Sequence, residues 1–333
     1  MVEMNRQFLL HARPVGEVKL SDLRYHETAV IEPGDGEFLV EMQYLAVEPA
    51  MRGWMENRGG YMAPLEIGDV MRSFGLGEVV QSRHAQFAVG DRVSGTFGMQ
   101  THALANGADS PVSLVDPDIE SATYLGVLGV TGLTAYCGMT AIGKPQAGET
   151  VLVSGAAGAT GSVVGQMAKL AGCRVIGIAG SQVKCDWLSR LGFDEVINYK
   201  TEDVDKRIKR LCPNGVDVYW DNVGGDLLDV ALNHLAMGAR VVICGGISRY
   251  NATGPVPGPQ NYFNLVFKNA LMQGFVVSHY RKMFPEAVQF LKEKLRAGQL
   301  QHHEDILDGF EQTPVALQRL FRGENLGKQL VRV

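Results

Sequence analysis

Cysteine is absent from the first 136 residues and scarce after them. A catalytic zinc needs three Cys, His or carboxylate ligands, and a structural zinc usually four thiolates. The five thiols, Cys137, Cys173, Cys185, Cys212 and Cys244, include no CxxC pair, which excludes a disulfide framework and fits reduced cysteines in a cytoplasmic protein. His26, His84 and His102 lack paired spacing and read as surface or packing residues; His302-His303 before Glu304 reads as a polar helix-to-strand turn. No metal is expected. Hydrolases' GxSxG elbow is also missing, which speaks against acyl transfer. Basic residues total 31 against 36 acidic ones, a formal charge of −5, so no cationic stripe exists for nucleic acid. Near the start, Phe8-Leu9-Leu10 is broken at once by His11 and Arg13, too short for a signal peptide. The longest uncharged run, Ser121 to Gly143, holds five glycines and four threonines in 23 residues. A buried helical connector is expected there, not a membrane span.

What remains is an ordinary globular composition, 46% apolar and 20% charged over 333 residues, enough for two domains. The N-terminal stretch reads as short strands, Glu37 to Met42, Gly77 to Val80 and one after Gly90-Asp91, with frequent Gly and Pro punctuation. From residue 129 the rhythm changes to apolar strands alternating with amphipathic helices. Strands are expected at Thr150–Ser154, Val175–Ala179, Val216–Trp220 and Arg240–Cys244, with helices at Ser162–Ala171, Gln182–Leu191 and Asp226–Leu235. That alternation predicts a doubly wound parallel sheet in an α/β chain. A helix from Phe284 to Arg296 follows, and Gln329–Val333 reads as a last strand returning to the first domain. The expected division is 1–126 with 302–333, and 127–301.

Residues 151–162, VLVSGAAGATGS, run from a strand through Gly155, Gly158 and Gly161 into a helix. A pyrophosphate needs close backbone N–H groups and gains from a helix N-terminus. Opening a βαβ unit, the pattern is a strong dinucleotide signal. About 20 residues beyond the glycines, NAD sites normally carry an acid for the ribose 2′-hydroxyl. Gly180 and Ser181 stand there instead, and Lys184 follows to pair with a 2′-phosphate. NADPH is therefore the expected cofactor.

Pro49-Ala50-Met51-Arg52-Gly53, Gly132-Leu133-Thr134-Ala135-Tyr136, Asn198-Tyr199-Lys200, Asp221-Asn222-Val223-Gly224-Gly225, Cys244-Gly245-Gly246-Ile247-Ser248 with Tyr250-Asn251, and Asn325-Leu326-Gly327-Lys328 complete an ordered series over nearly the whole chain. In these the sequence resembles the medium-chain dehydrogenase/reductase superfamily, in its zinc-free branch of prostaglandin, alkenal and curcumin reductases. The resemblance implies a Rossmann domain plus a β-rich GroES-like N-terminal domain. It further implies that Gly158, Ala159, Thr160 and Gly161 hold the pyrophosphate. Ser181, Lys184 and Tyr199 would hold the adenosine phosphate end. Asn222, the segment Cys244, Gly245, Gly246, Ile247, Ser248 and Tyr250, then Phe275, Val276 and Val277, and Asn325 would complete the cofactor site. Where zinc-bearing relatives offer a cysteine and a Gly-His-Glu, this chain has Ala46-Val47-Glu48 and Gly68-Asp69-Val70. Glu48-Pro49-Ala50-Met51-Arg52 replaces the branch's frequent Asp-Pro-Tyr-Met-Arg, which bears on substrate size.

The implied reaction is NADPH-dependent reduction of the double bond of an α,β-unsaturated ketone or aldehyde, a small-molecule substrate. Tyr250 is the first candidate donor to the carbonyl oxygen and Tyr61 the second, since a phenol stays protonated near neutrality. A cofactor-packing role for Tyr250 and a loop role for Tyr61 stand beside that. Quinone or ketone reduction on the same scaffold, and a non-catalytic NADPH-binding protein, are the alternatives. Relatives tend to form homodimers through the nucleotide domain. The Thr253–Pro259 loop caps substrate or meets a partner chain, and the sequence leaves both open.

Overall fold

The computed structural model describes residues 3–333 except 58, 59, 61 and 110. Two compact units emerge, Met1–Gly126 with Glu304–Val333, and Val127–His303. The return to the first unit falls two residues later than the sequence reading puts it.

In the first unit, strands Glu304–Asp308, Lys328–Arg332, Phe38–Ala46, Phe74–Ser82, Arg92–Thr96 and Val112–Leu114 lie side by side in that order. His102–Ala105 pairs with Phe38–Ala46. The C-terminal strand sits antiparallel to Phe38–Ala46, with Leu330 opposite Ala46 and Arg332 opposite Tyr44. Register shifts in the pairing of Phe38–Ala46 with Phe74–Ser82 bend this sheet as bulges do. Gly77 lets the two strands meet, for a Cβ there would lie 2.1 Å from the Glu41 carbonyl oxygen. Phe38, Leu45, Met51, Met55, Met71, Val93 and Phe310 fill the core.

The second unit holds six parallel strands in the order Glu195–Asn198, Arg174–Ala179, Thr150–Val153, Val216–Asp221, Leu235–Ile243, Leu271–Gly274. Val151–Val153, Val175–Ala179 and Val218–Asp221 are buried throughout, because a parallel sheet is covered on both faces. Helix Ala159–Leu170 buries Val163, Val164, Met167 and Ala168, the spacing of one helical face. The chain order reverses between Thr150–Val153 and Val216–Asp221, and ligands of open α/β sheets bind at the carboxyl ends of strands beside such a reversal.

The uncharged run is not one connector: it divides into helices Ser121–Leu125 and Val130–Gly138 and a single wide turn, Met139–Gly143. Gly126 breaks it where a Cβ would lie 2.7 Å from Glu304 Oε1, and the unit boundary follows that residue. Among the described residues no helix is long and apolar enough to cross a membrane. Tyr250 closes a one-turn helix, Ile247–Tyr250.

Candidate active site and cofactor cradle

Gly155, Gly158 and Gly161 stand between strand Thr150–Val153 and helix Ala159–Leu170. Gly155 takes the left-handed region with φ +57°, which glycine adopts without the Cβ penalty. At Gly161 a Cβ would lie 2.5 Å from the Gly155 carbonyl oxygen and 2.8 Å from Ala156 Cα, so the turn closes only without side chains. Gly158 is the N-cap, and no side chain caps this helix. The N–H groups of Ala159, Thr160 and Gly161 thus form the first turn of a 12-residue helix at the switch point, where backbone dipoles favour an anion. This cradle fits a dinucleotide pyrophosphate.

One strand over, Ser181 caps helix Gln182–Arg190 by accepting the Lys184 N–H at 3.4 Å. Lys184 therefore sits in that helix's first turn. Tyr199 is brought to the same strand end: its N–H donates to the Ala179 carbonyl at 3.1 Å. Its hydroxyl would lie 2.8 Å from a Cβ on Gly180, so Gly180 provides the room for the ring. Gly180, Ser181, Lys184 and Tyr199 thus converge, with no carboxylate at 180 or 181.

Across the switch point, Asn222 follows strand Val216–Asp221. Its Nδ2 donates to the Ser154 carbonyl at 2.7 Å and its Oδ1 accepts from Trp220 Nε1 at 3.0 Å. The amide is held on both ends, with one N–H remaining. Segment 244–250 is tied to the same turn. Ile247 N–H donates to the Asn222 carbonyl at 3.2 Å, and Ser248 reaches the Val223 carbonyl through its N–H at 3.2 Å and its Oγ at 2.6 Å. The Tyr250 hydroxyl accepts the Gly246 N–H at 3.3 Å; among the described residues no acceptor takes its own proton. Burial raises its pKa above the usual 10, outweighing the Gly246 hydrogen bond that lowers it, so the phenol is protonated at neutral pH. Burial likewise pushes the Cys244 thiol up to about 12, which leaves little thiolate. Phe275 follows strand Leu271–Gly274 and packs edge-on against Trp220, with ring centroids 5.9 Å apart; Val276 and Val277 lead on from it. Asn325 belongs to the other unit, where its Nδ2 donates to the Gly327 carbonyl at 3.0 Å. Tyr61 lies outside the described residues.

The residue that spacing overlooks is Asp221, fully buried beneath this edge. Its Oδ1 accepts from Ser154 Oγ at 2.8 Å, Tyr219 Oη at 2.9 Å, Val223 N–H at 3.1 Å and Gly224 N–H at 2.9 Å. An acid closing an apolar strand was the available signal, since a buried carboxylate must find donors. His102 is also buried, and its Nε2 faces Glu3 Oε1 at 3.4 Å. With Glu41 these form the three-residue grouping of metal-ligating types among the described residues. His102 is engaged on both ring nitrogens, Nδ1 with Thr101 Oγ1 at 3.2 Å and Nε2 with Glu3, as a packed histidine is.

A β-rich unit joined to a doubly wound parallel sheet with a glycine cradle defines a dinucleotide-dependent oxidoreductase scaffold. Residues 6–112 match the family described as the N-terminal domain of oxidoreductase, and residues 159–293 that described as zinc-binding dehydrogenase. The chain is 44% identical to YfmJ of Bacillus subtilis, covering 100% of this chain and 99% of that one. It is 37% identical to the NADP(+)-dependent 2-alkenal reductase of Nicotiana tabacum, covering 99% and 97%. The crystal structure of CurA from Vibrio vulnificus in complex with NADPH superposes with a TM-score of 0.94 at 37% identity, over 98% and 99% of the two chains. The chain belongs to the zinc-independent branch of the medium-chain dehydrogenase/reductase superfamily. The second domain's description keeps the name of its zinc-bearing members, while Ala46-Val47-Glu48 and Gly68-Asp69-Val70 supply no cysteine or histidine here.

Proposed function

We propose that the protein reduces the carbon–carbon double bond of α,β-unsaturated ketones or aldehydes with NADPH. The observation that carries this reading is the side-chain-free cradle at the switch point, flanked by a strand end with a lysine and no acid and by a protonated phenol one short segment away. When bound, NADPH supplies a hydride to the β-carbon of the conjugated alkene. The chain's own part is then positional and electrostatic. The first turn of helix Ala159–Leu170 and Gly155 receive the pyrophosphate, and Ser181, Lys184 and Tyr199 the 2′-phosphate end. Asn222, residues 244–248 and Phe275 to Val277 complete the cofactor's surroundings on this unit. Tyr250 offers its proton toward the substrate oxygen, where negative charge develops; Tyr61 stands as the second candidate for that donor.

The division of labour follows the two units, nucleotide on Val127–His303 and substrate recognition on the other. We place the protein in the cytoplasm on the ground that all five cysteines are free and four are buried. We also propose a homodimer, because the edge strand Leu271–Gly274 is exposed along its length beside exposed Tyr262, Phe263, Val266 and Phe267. The deciding experiment is NADPH oxidation over a panel of enals, enones, a quinone and a saturated ketone, with NADH in parallel. Turnover of enals and enones with NADPH is expected; turnover confined to the quinone or the saturated ketone, or none at all, overturns the reading.

A further inference from the structure

Asp221 is a buried carboxylate with no lysine or arginine pairing with it among the described residues. Removing a charge from water without a cation is costly unless hydrogen bonds replace the water. Here the replacement comes from donors on both sides of the topological switch. Ser154, the residue before Gly155, donates through Oγ to Asp221 and accepts the Asn222 N–H on the same oxygen at 3.0 Å. Val223 and Gly224 donate their N–H groups, Gly224 to both carboxylate oxygens at 2.9 and 3.1 Å. The main-chain carbonyl of Asp221 takes the N–H groups of Cys244 and Gly245 at 2.9 and 3.1 Å. One residue therefore ties together the ends of three parallel strands, Thr150–Val153, Val216–Asp221 and Leu235–Ile243. Those are the ends from which Gly155, Asn222 and the 244–248 segment project.

We propose that Asp221, acting through the Ser154 hydroxyl, is a positioning residue that locks these three strand ends into one nucleotide-binding edge, so that cofactor affinity depends on it. The inference rests on the NADPH reading above. Neither group touches the cofactor by this account; each holds the backbone that does. Ser154 is the informative half because its hydroxyl spans the switch point. Without it, the Asn222 N–H loses its acceptor, and the Asn222 Nδ2 bond to the Ser154 carbonyl is left to hold the cradle to the neighbouring turn. Tyr219 donates to the same carboxylate oxygen from within its own strand and its hydroxyl also faces the Ser154 side chain, but among the described residues it makes no hydrogen bond to Asn222 or to residues 244–248, which makes it the control.

The test compares Ser154→Ala, Tyr219→Phe and Asp221→Asn in the full chain. It measures NADPH binding by fluorescence titration, steady-state kinetics on an enone, and amide hydrogen exchange without nucleotide. For Ser154→Ala we expect the NADPH Kd and KM to rise about tenfold, with kcat at saturating NADPH within about twofold. Exchange at Asn222, Val223 and Gly224 should accelerate while the strand interiors stay protected. Tyr219→Phe should lower the melting temperature and leave Kd within about twofold, and Asp221→Asn should weaken binding more than Ser154→Ala. An unchanged Kd in Ser154→Ala overturns the proposal, as does an equal rise in Tyr219→Phe, which would mean stability alone is at work. A wild-type chain that does not bind NADPH overturns the cofactor reading instead. The exchange arm then decides the tie by itself, and unchanged protection at Asn222–Gly224 in Ser154→Ala refutes it.

Discussion

We assign nucleotide choice to one lysine and one missing acid. Strand Arg174–Ala179 ends in Gly180 and Ser181, and Lys184 stands in the first turn of the helix that Ser181 caps. A hydrogen bond to a charged group contributes about 1.5–3 kcal/mol, so Lys184→Ala should lower kcat/KM for NADPH by roughly 10–100-fold while NADH changes by less than about threefold; an unchanged ratio of the two removes the lysine from the site. Tyr250 carries the second residue-scale expectation. Its raised pKa keeps it a donor, and general acid assistance typically contributes about 10²–10⁴-fold. Tyr250→Phe should therefore lower kcat on an enone by about 100-fold and barely move the NADPH KM. A near-wild-type kcat leaves Tyr250 as packing around the cofactor. The glycines, Ser181 and Lys184 are legible from spacing because the strand-to-helix turns that hold them are local. Asp221 is not, because its importance comes from Ser154, some 67 positions away in the chain, and only the fold brings them together.

At the scale of elements, the two ends of the parallel strands do different work. The carboxyl ends carry the cradle, while two carboxylates pin the amino ends. Glu149, just before strand Thr150–Val153, takes a two-armed contact from Arg240, at 2.9 and 2.5 Å. Asp194 takes Lys169 Nζ at 2.8 Å and the Val175 N–H at 2.7 Å. Burial pushes both carboxyls up, but hydrogen bonds from Arg240 and the Gln146 N–H hold Glu149 below its usual range, and those from Lys169 and Val175 do so for Asp194. A folded pKa below the unfolded one favours the folded state when the acid is ionised. Their contribution is thus complete above the unfolded values of about 4 and is lost as pH falls through the lower folded values. Urea midpoints should hold steady from pH 7 to 5 and drop below about 4. The double variant Glu149→Gln with Asp194→Asn should be less stable at pH 7, with a shallower acid drop and an NADPH KM close to wild type. An equally steep drop would place the acid sensitivity elsewhere. Most helix and strand positions are readable from apolar periodicity. The break at Gly126–Gly129 is not, since it answers to a close approach by Glu304, distant in sequence. Strand Leu235–Ile243 begins five residues before the expected Arg240, because its first part pairs with Val216 next to a register shift, which composition does not signal.

For the whole molecule, assembly is the property least visible in a linear sequence, because apolar residues are counted there without regard to exposure. Leu271–Gly274 ends the six-stranded sheet, with no strand on its outer side among the described residues, and all four of its residues are exposed. Phe263, Val266 and Phe267 precede it and are each more than half exposed, and Tyr262 joins them. A free strand edge beside an aromatic patch invites pairing with another chain. A two-fold axis lets one copy satisfy the other through the same surface and closes the assembly at two. The expected species is therefore twice the 36.2 kDa chain mass, detectable by sedimentation velocity at micromolar concentration. Phe267→Asp with Leu271→Asp should shift it to the monomer, because two buried charges at a symmetric contact appear four times in the dimer without partners. Val89→Asp, at an exposed position in the other unit, should leave the dimer intact. A wild-type monomer would refute the assembly, and a dimer that survives both aspartates would assign the contact to another face.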